Sequence, residues 1–244
     1  YKDERDLLVR QLTPFIQLQP EFVKFENIQP EIITRVNKRL LRLERSESQI
    51  EEIKRKARIT TLLEEAETAY NVGDITQALD FYAKVLVLDP QHILAQMNIG
   101  NIYQELKLTE KAEKAYLNTL NSNPFYVFGS LSLARLYIFS GQPDKAINII
   151  NDTLEWYDGD HELSLFMGLA YAFKKDPRRA IEEFETSLKW NPNYSLAHFY
   201  LGVQLQNNTP SLARKHLQSF LNLAKNRSEH GKLIQKAEKL LKKL

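Results

Sequence analysis

Four columns of residues recur in this chain every 34 positions. Ala78, Ala112, Ala146 and Ala180 form one; Ala66, Gly100, Ala134, Gly168 and Gly202 form a second; Tyr103, Tyr137 and Tyr171 form a third; Pro90, Pro124, Asp158 and Pro192 form the fourth. A period of this length, kept in register by several columns at once, restricts the fold to stacked copies of one supersecondary unit. Each copy buries its apolar face only against the next one.

Each column has a physical reading. The two small-residue columns lie twelve positions apart, one on each of two predicted helices, and they let the two backbones approach where larger side chains would hold them apart. Tyr82, Tyr116, Ile150 and Phe184 stand four residues beyond the second small position, on the same helical face, and fill the space beside the contact. The proline column follows the second helix, where the ring stops it and leaves the preceding residue extended. Gly73 and Gly141 fall between the two helices, where positive φ is needed. The unit is a helical hairpin.

These residues resemble the tetratricopeptide repeat family, whose unit carries a small residue at position 8, Tyr at 11, Ala at 20, an aromatic at 24 and Pro at 32. The segment Met97 to Pro124, with Gly100, Tyr103, Ala112 and Tyr116, follows that pattern. The resemblance gives four units at 59–92, 93–126, 127–160 and 161–194. A fifth, at 195–227, has lost one residue near Asn207 to Pro210, because Ala213 arrives one position early. It implies an all-α fold: a right-handed superhelix, or α-solenoid, with an N-terminal helical segment over 1–58 and a C-terminal capping helix over 228–244. It also implies a concave groove lined by the first helix of each unit. The family's groove positions fall here on Met97, Asn101, Phe128, Leu131, Arg135, Phe139, Leu165, Leu169, Phe173 and Phe199, which predicts an apolar groove for an amphipathic helix or apolar peptide of a partner protein. Some relatives clamp a terminal carboxylate with Lys, Asn and Arg. Here Leu63, Glu67, Phe128 and Ser132 stand at clamp positions and only Asn98 and Arg135 remain compatible, so that ligand is not expected.

Outside the repeat, Ile33, Val36, Leu40, Leu43 and Ile50 follow helical spacing with no Gly or Pro between Pro30 and Gly73. A long helix is predicted, either continuous or bent near Ser46-Glu47-Ser48, and self-association through residues 1–58 is one use for it. Phe15, Ile16, Leu18, Phe22, Val23, Phe25 and Ile28, between Pro14 and Pro30, are too apolar for a solvated linker and need a cover, which the groove could supply. A groove so occupied would make the chain a structural subunit instead of an adaptor. From Ser228 onward, Leu233, Ala237, Leu240, Leu241 and Leu244 share one face and lysines the rest, the pattern of an end cap or of a membrane-surface helix.

The net charge of +2 hides +3 over residues 1–58, −8 over 59–194 and +7 over 195–244. Arg35, Lys38, Arg39, Arg42 and Arg45 cluster on one predicted helix, but the acidic middle argues against a continuous nucleic-acid track. With no cysteine, thiolate chemistry and cysteine-ligated metals are excluded. The five histidines, His92, His161, His198, His216 and His230, lack metal-ligand spacing and read as turn, surface and packing residues, and no nucleotide or nucleophile motif occurs. No catalytic residue, cofactor or metal is expected. The carboxylate pairs Glu64-Glu65 and Glu182-Glu183 read as solvated helix faces. No apolar run reaches membrane-helix length. A cytoplasmic location is favoured, and the chain's opening on Tyr1 leaves room for an upstream leader or anchor.

Overall fold

The computed structural model describes residues 30–225 and 230–244. The apolar stretch before Pro30 and Ser228 lie outside the described residues. Eleven helices are described: α1 (Pro30–Asn71), α2 (Ile75–Leu88), α3 (Ile93–Glu105), α4 (Thr109–Ser122), α5 (Val127–Phe139), α6 (Pro143–Leu154), α7 (His161–Phe173), α8 (Pro177–Trp190), α9 (Ser195–Leu205), α10 (Pro210–Ala224) and α11 (Gly231–Leu241). The chain divides into two compact units, residues 1–58 and 59–244.

In the first unit α1 runs without a break through Ser46-Glu47-Ser48. Ion pairs at three- and four-residue spacing support it, Glu51 to Lys54 at 2.7 Å and Glu52 to Arg55 at 2.7 Å and Lys56 at 3.4 Å. The basic side chains of Arg35, Lys38, Arg39 and Arg42 are exposed.

The second unit is an all-helical tetratricopeptide-type solenoid built from hairpins, beginning with the last turns of α1 against α2. Local chemistry sets the helix ends. Asp74, Asp160 and Asp176 cap helix N-termini by accepting from backbone N–H groups of Gln77, of Glu162 and Leu163, and of Arg179. Pro143, Pro177 and Pro210 occupy first-turn positions, where no N–H is missed. At the far ends Asp89, Asn123 and Asn191 are extended, with φ of −140°, −146° and −137°, as a following proline requires. Each side chain also accepts from the N–H two residues on, in Gln91, Phe125 and Asn193.

The repeat also fixes backbone conformation between paired helices. Left-handed φ occurs at Gly73 (85°), Lys107 (59°), Gly141 (77°) and Lys175 (60°), again one residue per 34. The fifth turn, shortened by one residue, has no such position, with Thr209 at φ −139°. Inside each hairpin the small residues are obligatory. A Cβ on Gly100 would lie 2.5 Å from the Tyr116 ring, one on Gly168 2.6 Å from the Phe184 ring, and one on Gly202 2.8 Å from Leu217. Tyr116, Phe184 and Leu217 are fully buried, and each such side chain contributes about 1.5–3 kcal/mol by leaving water.

The last hairpin is closed by α11. Ala237 is buried, and Leu233, Ile234, Leu240 and Leu241 pack with Phe199, Leu217 and Phe220. The apolar face that a membrane-surface helix would insert is therefore occupied within the chain. Among the described residues no helix is long and apolar enough to cross a membrane.

Candidate partner-binding groove

The ten expected groove residues separate into two groups. Phe128 and Phe139 are each 62% exposed and Phe173 is 49% exposed, while Asn101 and Arg135 are half-buried. Met97, Leu131, Leu165, Leu169 and Phe199 are buried, with exposures between 1% and 7%. Their placement on an apolar groove surface is corrected: they are core. The reason is the tightness of the stack. Leu131, Leu165 and Leu169 join one cluster with Leu133, Ile138, Ile150 and Phe184, so each first helix is packed from its own partner helix and from the adjoining units. Phe199 is covered by Phe220, and Lys236 of α11 lies over its ring at 5.7 Å.

The concavity that remains is polar. A cavity of about 420 Å³ opens among α1, α2, α3 and α5, lined by Tyr70, Tyr82, Asn98, Asn101, Gln104, Glu105 and Arg135 together with Ile102. The tyrosines are tied down. Tyr70 donates to Glu105 Oε1 at 2.6 Å, Asn98 Nδ2 donates to the Tyr82 hydroxyl at 3.0 Å, and the Tyr116 hydroxyl lies 2.8 Å from both Asn101 Oδ1 and Gln104 Oε1. Burial pushes the Tyr116 hydroxyl above the usual phenol range, and the Arg135 guanidinium beside it pulls the other way. Burial likewise raises Tyr82, whereas for Tyr70 the bond to Glu105 is the larger cause.

The Arg135 guanidinium belongs to this network through the Tyr116 hydroxyl, but one of its nitrogens is left over. Its Nε is buried, yet among the described residues it has no hydrogen-bond partner. Among the described residues no ion pair joins it to Glu67 or to Glu105, which lines the same cavity. A buried donor left unmatched costs about 1–3 kcal/mol. Beyond it the surface turns apolar: Phe139 and Phe173 meet edge to face at 6.2 Å, and Phe128 packs beside Tyr126 at 5.8 Å. Phe128, Arg135 and Phe139 lie seven and four residues apart on α5 and so share a face.

The carboxylates and histidines also differ from the sequence expectation. Glu182 is exposed, but Glu183 is half-buried and its carboxyl is raised by burial and then by Glu182; Glu65 has a buried oxygen with no hydrogen-bond partner among the described residues. The histidines are not all scattered. His92 caps α3 and His161 packs on Tyr194, but His198 and His216 come together. No spacing rule reveals that pair, because its members sit on two different helices of one hairpin.

In-register helical hairpins, small-residue contacts and a concave pocket define a helical-repeat solenoid. The family model "Tetratricopeptide repeat" matches residues 94–126 and 161–194, so those two stretches are tetratricopeptide repeats. Among curated relatives, human tetratricopeptide repeat protein 6 is 22% identical over 169 residues, covering 54% of this chain and 32% of that protein. The bovine BBSome complex member BBS4 is 25% identical over 141 residues, 58% of this chain and 27% of that one. A match to the human protein O-mannosyl-transferase TMTC3 at 26% covers 15% of it. The chain thus spans about a third or less of the curated relatives it matches. Solved structures share the fold: PilW, a type IV pilus biogenesis factor, superimposes with a TM-score of 0.63 at 19% identity over 75% of this chain and 86% of that one. YrrB, described as a tetratricopeptide protein with an unusual peptide-binding site, gives 0.54 at 21% identity over 79% and 97%.

Proposed function

We propose that this chain is a non-enzymatic adaptor that holds a segment of a partner polypeptide along the concave side of its repeats. The observation that carries the reading is Arg135: a guanidinium lining a 420 Å³ cavity, its buried Nε without a hydrogen-bond partner among the described residues, on the same helix as the exposed Phe128 and Phe139. Such an arrangement fits a segment that brings an acceptor oxygen to Arg135 and sets apolar side chains on Phe139 and Phe173. Asn101 and Gln104 share one hydroxyl, so each keeps capacity to bond a peptide backbone. The peptide-binding site of YrrB supports the same use of the fold. The expected ligand is accordingly mixed in character, polar at one end and apolar at the other, instead of apolar throughout.

The test is affinity capture from the source cells with the wild-type chain and with two variants of unchanged circular dichroism, Arg135→Gln and Phe128→Ser/Phe139→Ser/Phe173→Ser. Both variants should lose the partners that the wild type retains. Retention at wild-type levels by both variants would remove the groove from the account.

A second reading, self-association through the first unit, is favoured by Ile53, 66% exposed, and Ile50, 36% exposed, on one face of α1. Light scattering of the whole chain with Ile50→Glu and Ile53→Glu decides it, since this reading requires the variants to dissociate.

A further inference from the structure

Ser46, Ile50, Ile53 and Ala57 follow one another on α1 at intervals of four, three and four, which puts them on one face of the helix. Ile53 is 66% exposed, Ile50 is 36% exposed, and Ala57 is exposed beside them. Upstream the same intervals continue through Arg42, Arg39 and Arg35, all exposed. Within the first compact unit, one stripe therefore passes from basic to apolar.

Most charges that flank the apolar part are matched inside the helix, Glu51 by Lys54 and Glu52 by Arg55 and Lys56. Glu47 and Arg58 are left over: both are exposed, and neither enters an ion pair among the described residues. They are eleven positions apart, about three helical turns, and so stand on the same edge of the stripe, one toward each end of its apolar part.

We propose that α1 pairs with the α1 of a second copy of this chain, antiparallel and with two-fold symmetry, the axis passing between Ile50 and Ile53. The proposal rests on the self-association reading above and adds to it the direction and the pairing of residues. In this register Ile50 of one copy meets Ile53 of the other, and Ser46 meets Ala57, whose small side chains let the helices close on the isoleucines. Along the edge Glu47 reaches Arg58 of the second copy. Symmetry makes every such contact twice. Charge selects the direction. A parallel pair would set Arg35, Arg39 and Arg42 against the same residues of the second copy, and like charges side by side repel. In the antiparallel pair the two Arg39 side chains are about 37 Å apart along the axis at about 1.5 Å per residue. That separation is well beyond the roughly 8 Å over which salt at cellular strength leaves exposed charges coupled.

The experiment uses the whole chain, which has no cysteine of its own. Sedimentation of the wild type over a range of concentrations should show a monomer–dimer equilibrium. Ser46→Cys and Ala57→Cys are made as separate variants and oxidised alone and mixed. A disulfide needs Cα atoms within roughly 7 Å, and the antiparallel register holds two copies of residue 46 about 16 Å apart along the axis. The mixture should therefore cross-link to a covalent dimer while each variant alone stays single. Glu47→Arg and Arg58→Glu should each weaken dimerisation roughly tenfold, because each turns two attractive pairs per dimer into repulsive ones. The double change Glu47→Arg/Arg58→Glu should restore it. A wild type that stays monomeric at every concentration overturns the pairing together with the self-association reading. A dimer whose single-cysteine variants cross-link alone, or whose charge-exchanged double variant is no tighter than the single ones, overturns the antiparallel pairing and leaves self-association standing.

Discussion

Replacing Gly168 by Ala tests whether the close approach of α7 to α8 holds the repeat together. Helix propensity alone favours Ala by about 0.8–1 kcal/mol. Against this, the new Cβ would lie 2.6 Å and 2.7 Å from two Phe184 ring carbons. That ring is fully buried and stacked at 5.9 Å on Tyr200, so it cannot move aside cheaply. Overpacking of this kind costs about 1–3 kcal/mol, leaving Gly168→Ala destabilised by about 1 kcal/mol net. Phe184→Ile alone gives up ring volume and the aromatic contact, a loss of roughly 1–2 kcal/mol, below the Phe→Ala range. The chain itself supplies the compensated pair, because one repeat earlier the same two positions are Ala134 and Ile150, both completely buried. Gly168→Ala/Phe184→Ile should therefore be more stable than the sum of the single changes by at least about 1 kcal/mol. Equilibrium urea unfolding followed by far-ultraviolet circular dichroism measures all four corners of the cycle, and melting should shift by about 2–4 °C per kcal/mol. Strict additivity, or a Gly168→Ala variant more stable than wild type, would show that the glycine column is not set by steric contact.

Lys107 and Lys175 hold left-handed φ where the sister turns carry Gly73 and Gly141; Lys107→Gly and Lys175→Gly should each relieve strain and raise stability by up to about 1 kcal/mol in the same urea assay. Phe199→Ala should cost about 3–5 kcal/mol while Phe128→Ala stays within about 0.5 kcal/mol, because the first is 1% and the second 62% exposed; similar losses at the two sites would contradict the division between core and groove. Burial and then the bond to Glu113 push the Tyr137 phenol far above its ordinary value. The folded state thus keeps a proton that the unfolded chain releases near pH 10. Stability should be level below that pH and fall as it is passed. In absorbance titration at 295 nm part of the phenolate signal should appear only with alkaline unfolding, and complete titration of all tyrosines near pH 10 in the folded chain would refute the assignment.

Much of the fold is legible because its determinants are local or strictly periodic. The Ala and Gly columns mark where helices must touch, and the proline column marks where they must stop. The break in spacing at Ala213 marks the altered fifth turn. The candidate site was only partly legible for the opposite reason. Leu131 and Phe128 both occupy first-helix positions with groove-like spacing, and nothing in their identity tells that one enters the core while the other stays in solvent. That division depends on how closely neighbouring hairpins stack. The same stacking makes the concavity beside Arg135 polar by gathering Tyr70, Tyr82, Asn98 and Glu105 from three helices.

Sequence alone thus determined a solenoid of helical hairpins, because a hairpin's contacts and turns are encoded within each 34-residue period. Only the tertiary structure decided which first-helix side chains stay exposed, that Arg135 Nε is left without an acceptor among the described residues, and that His198 meets His216. Those outcomes depend on distances between helices that no spacing along one helix records.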